Sequence, residues 1–140
     1  MPDPDKNGIE NGCKELWSAF KGVVSWKWDS RFETVLAEFG VGKNANVRAI
    51  LERHLPIIWD GSNIASAPDV VRTILNLLGG LREGQLFLTS DPHGDAFIFC
   101  AWWPWGDGKT ISIRIAPSYK QSSDPEKAEK ARRLKGWFGM

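Results

Sequence analysis

Residues 84–115 read GQLFLTSDPHGDAFIFCAWWPWGDGKTISIRI, and this stretch predicts three antiparallel strands joined by two tight turns. The first turn, DPHGD at 91–95, has proline where a type I turn favours it and glycine where a left-handed residue is needed. Its two aspartates are therefore expected to pair with each other. Because the turn fixes the register, Leu88 should lie opposite Ile98.

The second turn, GDGK at 106–109, contains the Asp-Gly pair that is typical of a two-residue hairpin. It sets Trp102 opposite Ile113. Taken together, the two turns place one set of apolar side chains on a single face, which predicts the core face of the sheet. These residues are Leu86, Leu88, Ile98, Cys100, Trp102, Ile111, Ile113 and Ile115.

The opposite face is half aromatic and half polar. It carries Phe87, Phe97, Phe99, Ala101, Trp103 and Trp105 beside Gln85, Thr89, Thr110, Ser112 and Arg114. A solvated sheet face should alternate to polar residues, so either helices bury the middle strand on both faces or a partner binds it. Pro104 lacks an N–H and predicts a bulge or the end of pairing, with a neighbouring indole at the rim of the sheet.

Four segments before the sheet have the apolar spacing of helices, at 9–20, 30–40, 44–55 and 66–78. The second is supported by the capping-box spacing of its first residues, and the fourth, the most hydrophobic, is expected to pack on the sheet. Residues 24–28 alternate in a way that suits a fourth strand. Residues 57–59 fit either a strand fragment or a packed loop.

The chain has 140 residues, the usual size of one domain, so residues 1–140 are expected to form a single unit. Its expected parts are a loose N-terminus (1–8), a mainly helical region (9–80), an antiparallel sheet (84–115), and a linker with a basic C-terminal helix (116–140). The predicted class is α+β. N-terminal helices should pack on a three- or four-stranded antiparallel β-meander, followed by a C-terminal helix.

Composition sets limits on function. The formal net charge is +1 and 42% of residues are hydrophobic, as in an ordinary soluble domain, and no apolar run approaches the ~20 residues of a membrane span. Cys13 and Cys100 both occupy positions that suit a small buried hydrophobe. Reduced thiols, and hence a cytoplasmic location, are expected.

Candidate catalytic residues are few. His93 lies between Asp91 and Asp95 in a pattern that suits metal ligation or general-base catalysis, but turn formation already explains all three residues. His54 lies on the apolar stripe of a helix. We therefore expect no metal, no cofactor and no catalytic residue, and the sequence leans away from an enzyme. A ligand pocket near His54 and His93 is the alternative to a binding domain.

Binding residues are better defined. Aromatic residues and arginine are enriched at protein interfaces, which favours a protein partner or self-association through five residues of the sheet: Phe97, Phe99, Trp103, Trp105 and Arg114. Stacking of single-stranded nucleic acid on the same aromatics is the alternative, with Arg132 and Arg133 following phosphates. The near-neutral charge argues against it. Trp137 and Phe138 are either a second contact or part of a helix folded back onto the core.

Overall fold

A computed structural model describes residues 4–92, 96–118 and 124–140 of the chain. Within these ranges the fold is α+β, with four helices and a six-stranded antiparallel sheet of order β1-β2-β6-β5-β4-β3. The helices are α1 (Pro4–Phe20), α2 (Asn44–His54), α3 (Asp69–Leu77) and α4 (Asp124–Trp137). The strands are β1 (Lys27–Asp29), β2 (Thr34–Gly40), β3 (Ile57–Trp59), β4 (Leu86–Thr89), β5 (Phe97–Pro104) and β6 (Thr110–Ser118).

The predicted register between β5 and β6 is confirmed. Trp102 lies opposite Ile113, and the N–H of Trp105 donates to the carbonyl of Thr110 at 2.8 Å. The turn itself is longer than the predicted two-residue type, because residues 106–109 lie between Trp105 and Thr110 and the N–H of Gly108 donates to the carbonyl of Trp105. Gly108 has a φ of +68°, whereas Asp107 does not adopt a left-handed conformation. The hairpin turn therefore fixes the register of the two longest strands.

The predicted register between β4 and β5 is wrong by two residues. Leu88 lies opposite Cys100 instead of Ile98, and Ile98 exchanges hydrogen bonds with Ser90. The connection between β4 and β5 is therefore longer than the five-residue turn predicted from the sequence. Residues 93–95 of that predicted turn lie outside the described ranges. Because the error is an even number of residues, the side chains keep their predicted faces. All the predicted core-face residues except Leu86 are buried.

The predicted helix at 30–40 is wrong, because this segment forms a turn and strand β2. Val35, Ala37 and Phe39 are buried in strict alternation and lie opposite the isoleucines of β6. Pairing with both β1 and β6 overrides the helical spacing that the same apolar residues also fit. The sheet consequently has six strands and not three or four, with short strands at both edges.

Helix α1 makes the main helix contact with the sheet, across β5 and β6, and it also packs on α2 and α4. Helix α3 buries Val71 and Leu75 in the same core, whereas Leu77 is 71% exposed, and its expected packing on the sheet stays a prediction. Gly12 permits the close approach of α1, because a Cβ there would lie 2.6 Å from Ile98 Cδ1. Helix α1 begins at Pro4, so residues 4–8 are helical and do not form a loose end.

Both cysteines are free thiols in the core. Loss of hydration on burial raises the pKa of Cys13 to about 12, and it raises the pKa of Cys100 as well. Neither thiol is therefore ionised at neutral pH, and neither has the character of a catalytic nucleophile.

Candidate interaction surface

The centre of the aromatic face is buried. Phe97 is 1% exposed and Phe99 is 5% exposed, and their neighbours Phe87 and Ala101 are equally covered. The rings of Phe87 and Phe99 lie 5.4 Å apart, as in a packed core. Phe97 and Phe99 are therefore core residues and are not accessible to a partner.

The end of β5 is open, as Pro104 predicted. Pairing with β4 ends at Trp102, whereas pairing with β6 continues to Pro104. The N–H of Trp105 is directed at β6, and successive backbone nitrogens of a strand point to opposite sides. The nitrogen of Pro104 therefore points to the β4 side of the strand, beyond the last β4–β5 pair. The proline therefore removes no ladder hydrogen bond, and pairing ends here without a bulge. The indole of Trp105 is 45% exposed.

Beside Trp105, an arginine and two aromatic rings form a compact group. The guanidinium of Arg114 lies 4.4 Å from the ring centroid of Trp103. The ring of Phe32, from the β1–β2 turn, meets Trp103 edge-on with centroids 5.7 Å apart. Arg31 in turn lies 4.9 Å from the ring of Phe32. We call Arg31, Phe32, Trp103, Trp105 and Arg114 the rim surface.

Arg114 is held in place by an ion pair. Its Nε donates to Oδ2 of Asp29 at 2.7 Å, and its Nη1 donates to Oγ of Ser112 at 3.3 Å. The two ionic side chains are only 17% and 10% exposed. Burial acts to raise the pKa of Asp29, but hydrogen bonds from Arg114 and from backbone N–H groups, with the nearby positive charge, lower it below its usual value. The rim surface therefore has a fixed cation at its centre.

Asp29, Arg31 and Phe32 were not predicted to be site residues. Phe32 fits the apolar face of the helix predicted at 30–40, but this segment forms a turn and β2. The alternation of Trp26, Lys27, Trp28 and Asp29 was a signal for a strand that ends in this turn. Ser112 also differs from expectation, because it is buried instead of facing solvent.

Of the two histidines, the structure describes only His54. His54 lies on α2, with its Nδ1 3.9 Å from Oε2 of Glu15 and its side chain 20% exposed. Neither of the two best-defined clefts is lined by His54. His93 lies outside the described ranges, so its predicted pocket with His54 stays a prediction.

The C-terminal helix is part of the fold. Phe138 is 3% exposed and meets Trp26 edge-on at 5.0 Å, and Trp137 is partly buried. Arg132 and Arg133 both bind Glu129, at 3.1 and 3.2 Å. The helix therefore packs against the core, and an acidic neighbour partly neutralises its basic residues.

Across residues 4–92, 96–118 and 124–140, no group of three or more His, Cys, Asp or Glu side chains is arranged to hold a metal ion. Within the same ranges, every helix is too short or too polar to cross a membrane.

Comparison of the chain with protein-family models, with curated proteins and with solved structures finds no significant match.

Proposed function

We propose that this chain is a small protein-interaction domain that binds a protein partner through the rim surface. The observation that carries the proposal is the indole of Trp105, which is 45% exposed at the open end of β5 beside the Arg114–Trp103 stack. Tryptophan and arginine are the residues most enriched at the energetic centre of protein interfaces. The two buried, unpaired cysteines fit a reducing compartment, so the proposal includes a cytoplasmic location.

The charge of the rim surface favours a partner with an acidic group. Arg114 is already paired with Asp29, but Arg31 makes no ion pair with any residue that the structure describes. The expected partner therefore offers an apolar pocket for Trp105 and a carboxylate near it for Arg31.

The binding mode is contact through side chains and not strand addition. Both edge strands have only three residues, and an exposed edge would need to be longer to template a partner strand. The carbonyl of Ile58 on β3 accepts a hydrogen bond from Nδ2 of Asn63 at 2.9 Å, and Lys27 on β1 pairs with Glu38. These contacts protect the edges from pairing with another strand.

Single-stranded nucleic acid, the alternative ligand, has less support. Base stacking would need exposed rings along the sheet, but Phe97 and Phe99 are buried. The net charge of +1 gives no general attraction for phosphates. We expect no binding of a single-stranded oligonucleotide at low salt, and salt-sensitive binding there would favour this alternative.

The test uses a matched pair of truncations. Trp105→Ala removes the exposed indole, and Leu77→Ala removes an exposed apolar side chain of α3 that is not part of the rim surface. A photo-crosslinking amino acid at position 105 would identify the partner, and its affinity would then be measured for each variant. We expect Trp105→Ala to weaken binding about 30-fold or more and Leu77→Ala to leave it unchanged. Equal affinity of both variants would contradict the proposal.

A further inference from the structure

A cleft of about 450 Å³ opens at the same end of the sheet, on the side of α2. Its apolar part is formed by Trp102, Leu81 and Leu86, and Arg48 from α2 forms part of its wall. The volume is within the usual range of small-molecule sites.

Arg48 is positioned by stacking, without a hydrogen bond to any residue in the described ranges. Its guanidinium lies 5.2 Å from the ring of Trp102, which is itself 3% exposed and packed against Phe39. The nearest carboxylate, of Glu52, is 3.7 Å from Nη2, too far for a hydrogen bond. Nε is buried and has no hydrogen-bond partner among the described residues. The side chain is 28% exposed, so a ligand in the cleft can reach it.

The charge of the cleft argues against a ligand with two negative charges. Its lining includes Arg48 and Arg82 against Asp60 and Glu83, so the formal charges cancel. Asp60 is already engaged, because its Oδ1 accepts hydrogen bonds from the N–H and the hydroxyl of Ser62. A dianion such as phosphate would gain little here, whereas one planar carboxylate matches the fork of a stacked guanidinium.

We propose that this cleft binds a small organic carboxylate, with the carboxylate on Arg48 and the apolar body against Trp102, Leu81 and Leu86. Such a ligand accepts hydrogen bonds from the Nη groups of the guanidinium and covers apolar surface in the same step. The inference does not depend on the proposed protein partner, because Trp102 and Trp103 project from opposite faces of β5.

The first test compares benzoate with benzamide, its neutral isostere, by ¹H–¹⁵N NMR titration of the folded chain. The reporters are the Nε–H signal of Arg48 and the backbone amides of 82–86. We expect benzoate to shift these signals and to bind about tenfold or more tightly than benzamide, because the charge strengthens its hydrogen bonds to arginine. Equal binding of the two probes, or absence of shifts with benzoate, would overturn the inference. Phosphate should cause no comparable shifts, and binding of phosphate as tight as that of benzoate would also overturn it.

The second test uses two variants of α2. Arg48→Lys keeps the charge but removes the planar fork, and Arg53→Lys makes the same change at an exposed position on the helix that does not line the cleft. We expect Arg48→Lys to weaken benzoate binding about tenfold and Arg53→Lys to leave it unchanged. Unchanged binding in a folded Arg48→Lys variant would contradict the assignment of Arg48.

Discussion

Gly8 and Gly12 lie on the same helix, but their surroundings are opposite. A Cβ at Gly12 would lie 2.6 Å from Cδ1 of Ile98, whereas a Cβ at Gly8 would meet nothing within 4 Å. Alanine favours a helix over glycine by up to about 1 kcal/mol, but forcing a methyl group into a packed core costs about 1–3 kcal/mol. Gly8→Ala should therefore raise the free energy of unfolding by a few tenths to about 1 kcal/mol, and Gly12→Ala should lower it by about 1 kcal/mol. Urea unfolding measures both.

Gly8→Ala is also the control for the effect of helix propensity alone. If Gly12→Ala stabilises the protein as much as Gly8→Ala does, the close packing of α1 on β5 is wrong.

Asp29 makes stability depend on pH. Its folded-state pKa is lowered, so the stability that it contributes is fully present above the unfolded value of about 3.9 and is lost as pH falls through the folded value. Asp29→Asn should lower the free energy of unfolding by about 1–3 kcal/mol at pH 7, because Arg114 loses its charged partner. The gap between wild type and variant should narrow as pH falls below about 4. Denaturant unfolding of both proteins from pH 7 to pH 2.5 measures this difference in the free energy of unfolding.

Glu10→Gln, which breaks an exposed ion pair with Lys14, is the control and should change stability by less than about 0.5 kcal/mol. A gap for Asp29→Asn that stays constant across the pH range would show that the carboxylate charge is not its cause.

Trp103, Trp105 and Arg114 of the rim surface were predictable from the sequence, whereas Arg31 and Phe32 were not. An indole next to Pro104 was predicted at the rim of the sheet because Pro104 cannot pair on both sides, which is a local property. The contact between Asp29 and Arg114 joins residues 85 positions apart, so no local pattern reveals it. Burial of Phe97 and Phe99 likewise depends on what the rest of the chain packs on them.

At the level of elements, β2 shows where periodicity fails. Phe32, Val35, Leu36 and Phe39 fit one helical face, while Val35 and Phe39 with Ala37 between them fit one face of a strand. Short apolar segments carry both signals, and pairing with β6 decides between them. The faces of β4, β5 and β6 were predictable because an alternation of period two survives an error of two residues in the register.

The hairpin between β5 and β6 gives a prediction for the turn itself. Gly108 has a φ of +68°, whereas Gly106 does not adopt a left-handed conformation, and both have open space where a Cβ would lie. Gly108→Ala should therefore destabilise the protein by about 1–2 kcal/mol through backbone strain, while Gly106→Ala should have an effect within about 0.5 kcal/mol. Thermal and urea unfolding of the two variants measure it. Equal effects would mean that the Asp-Gly turn does not have the assigned conformation.

The whole molecule is organised around β5, a central strand in which residues 97–102 are all buried. Its consecutive tryptophans serve opposite faces: Trp102 packs beneath α2 and lines the cleft, while Trp103 belongs to the rim surface. Helix α1 lies across β5 and β6 and contacts both α2 and α4, so it joins the two ends of the chain.

Helix α4 tests whether the C-terminus belongs to this core. Phe138 is 3% exposed and packs against Trp26, whereas Met140, two residues later, is 43% exposed. Phe138→Ala removes a buried aromatic ring and should lower the free energy of unfolding by about 3–5 kcal/mol, whereas Met140→Ala should change it by less than about 0.5 kcal/mol. Urea unfolding measures both values, and hydrogen exchange should show α4 losing protection in the Phe138 variant. Wild-type stability in Phe138→Ala would instead show that α4 does not stabilise the core. Trp137 and Phe138 would then become a second candidate contact for a partner.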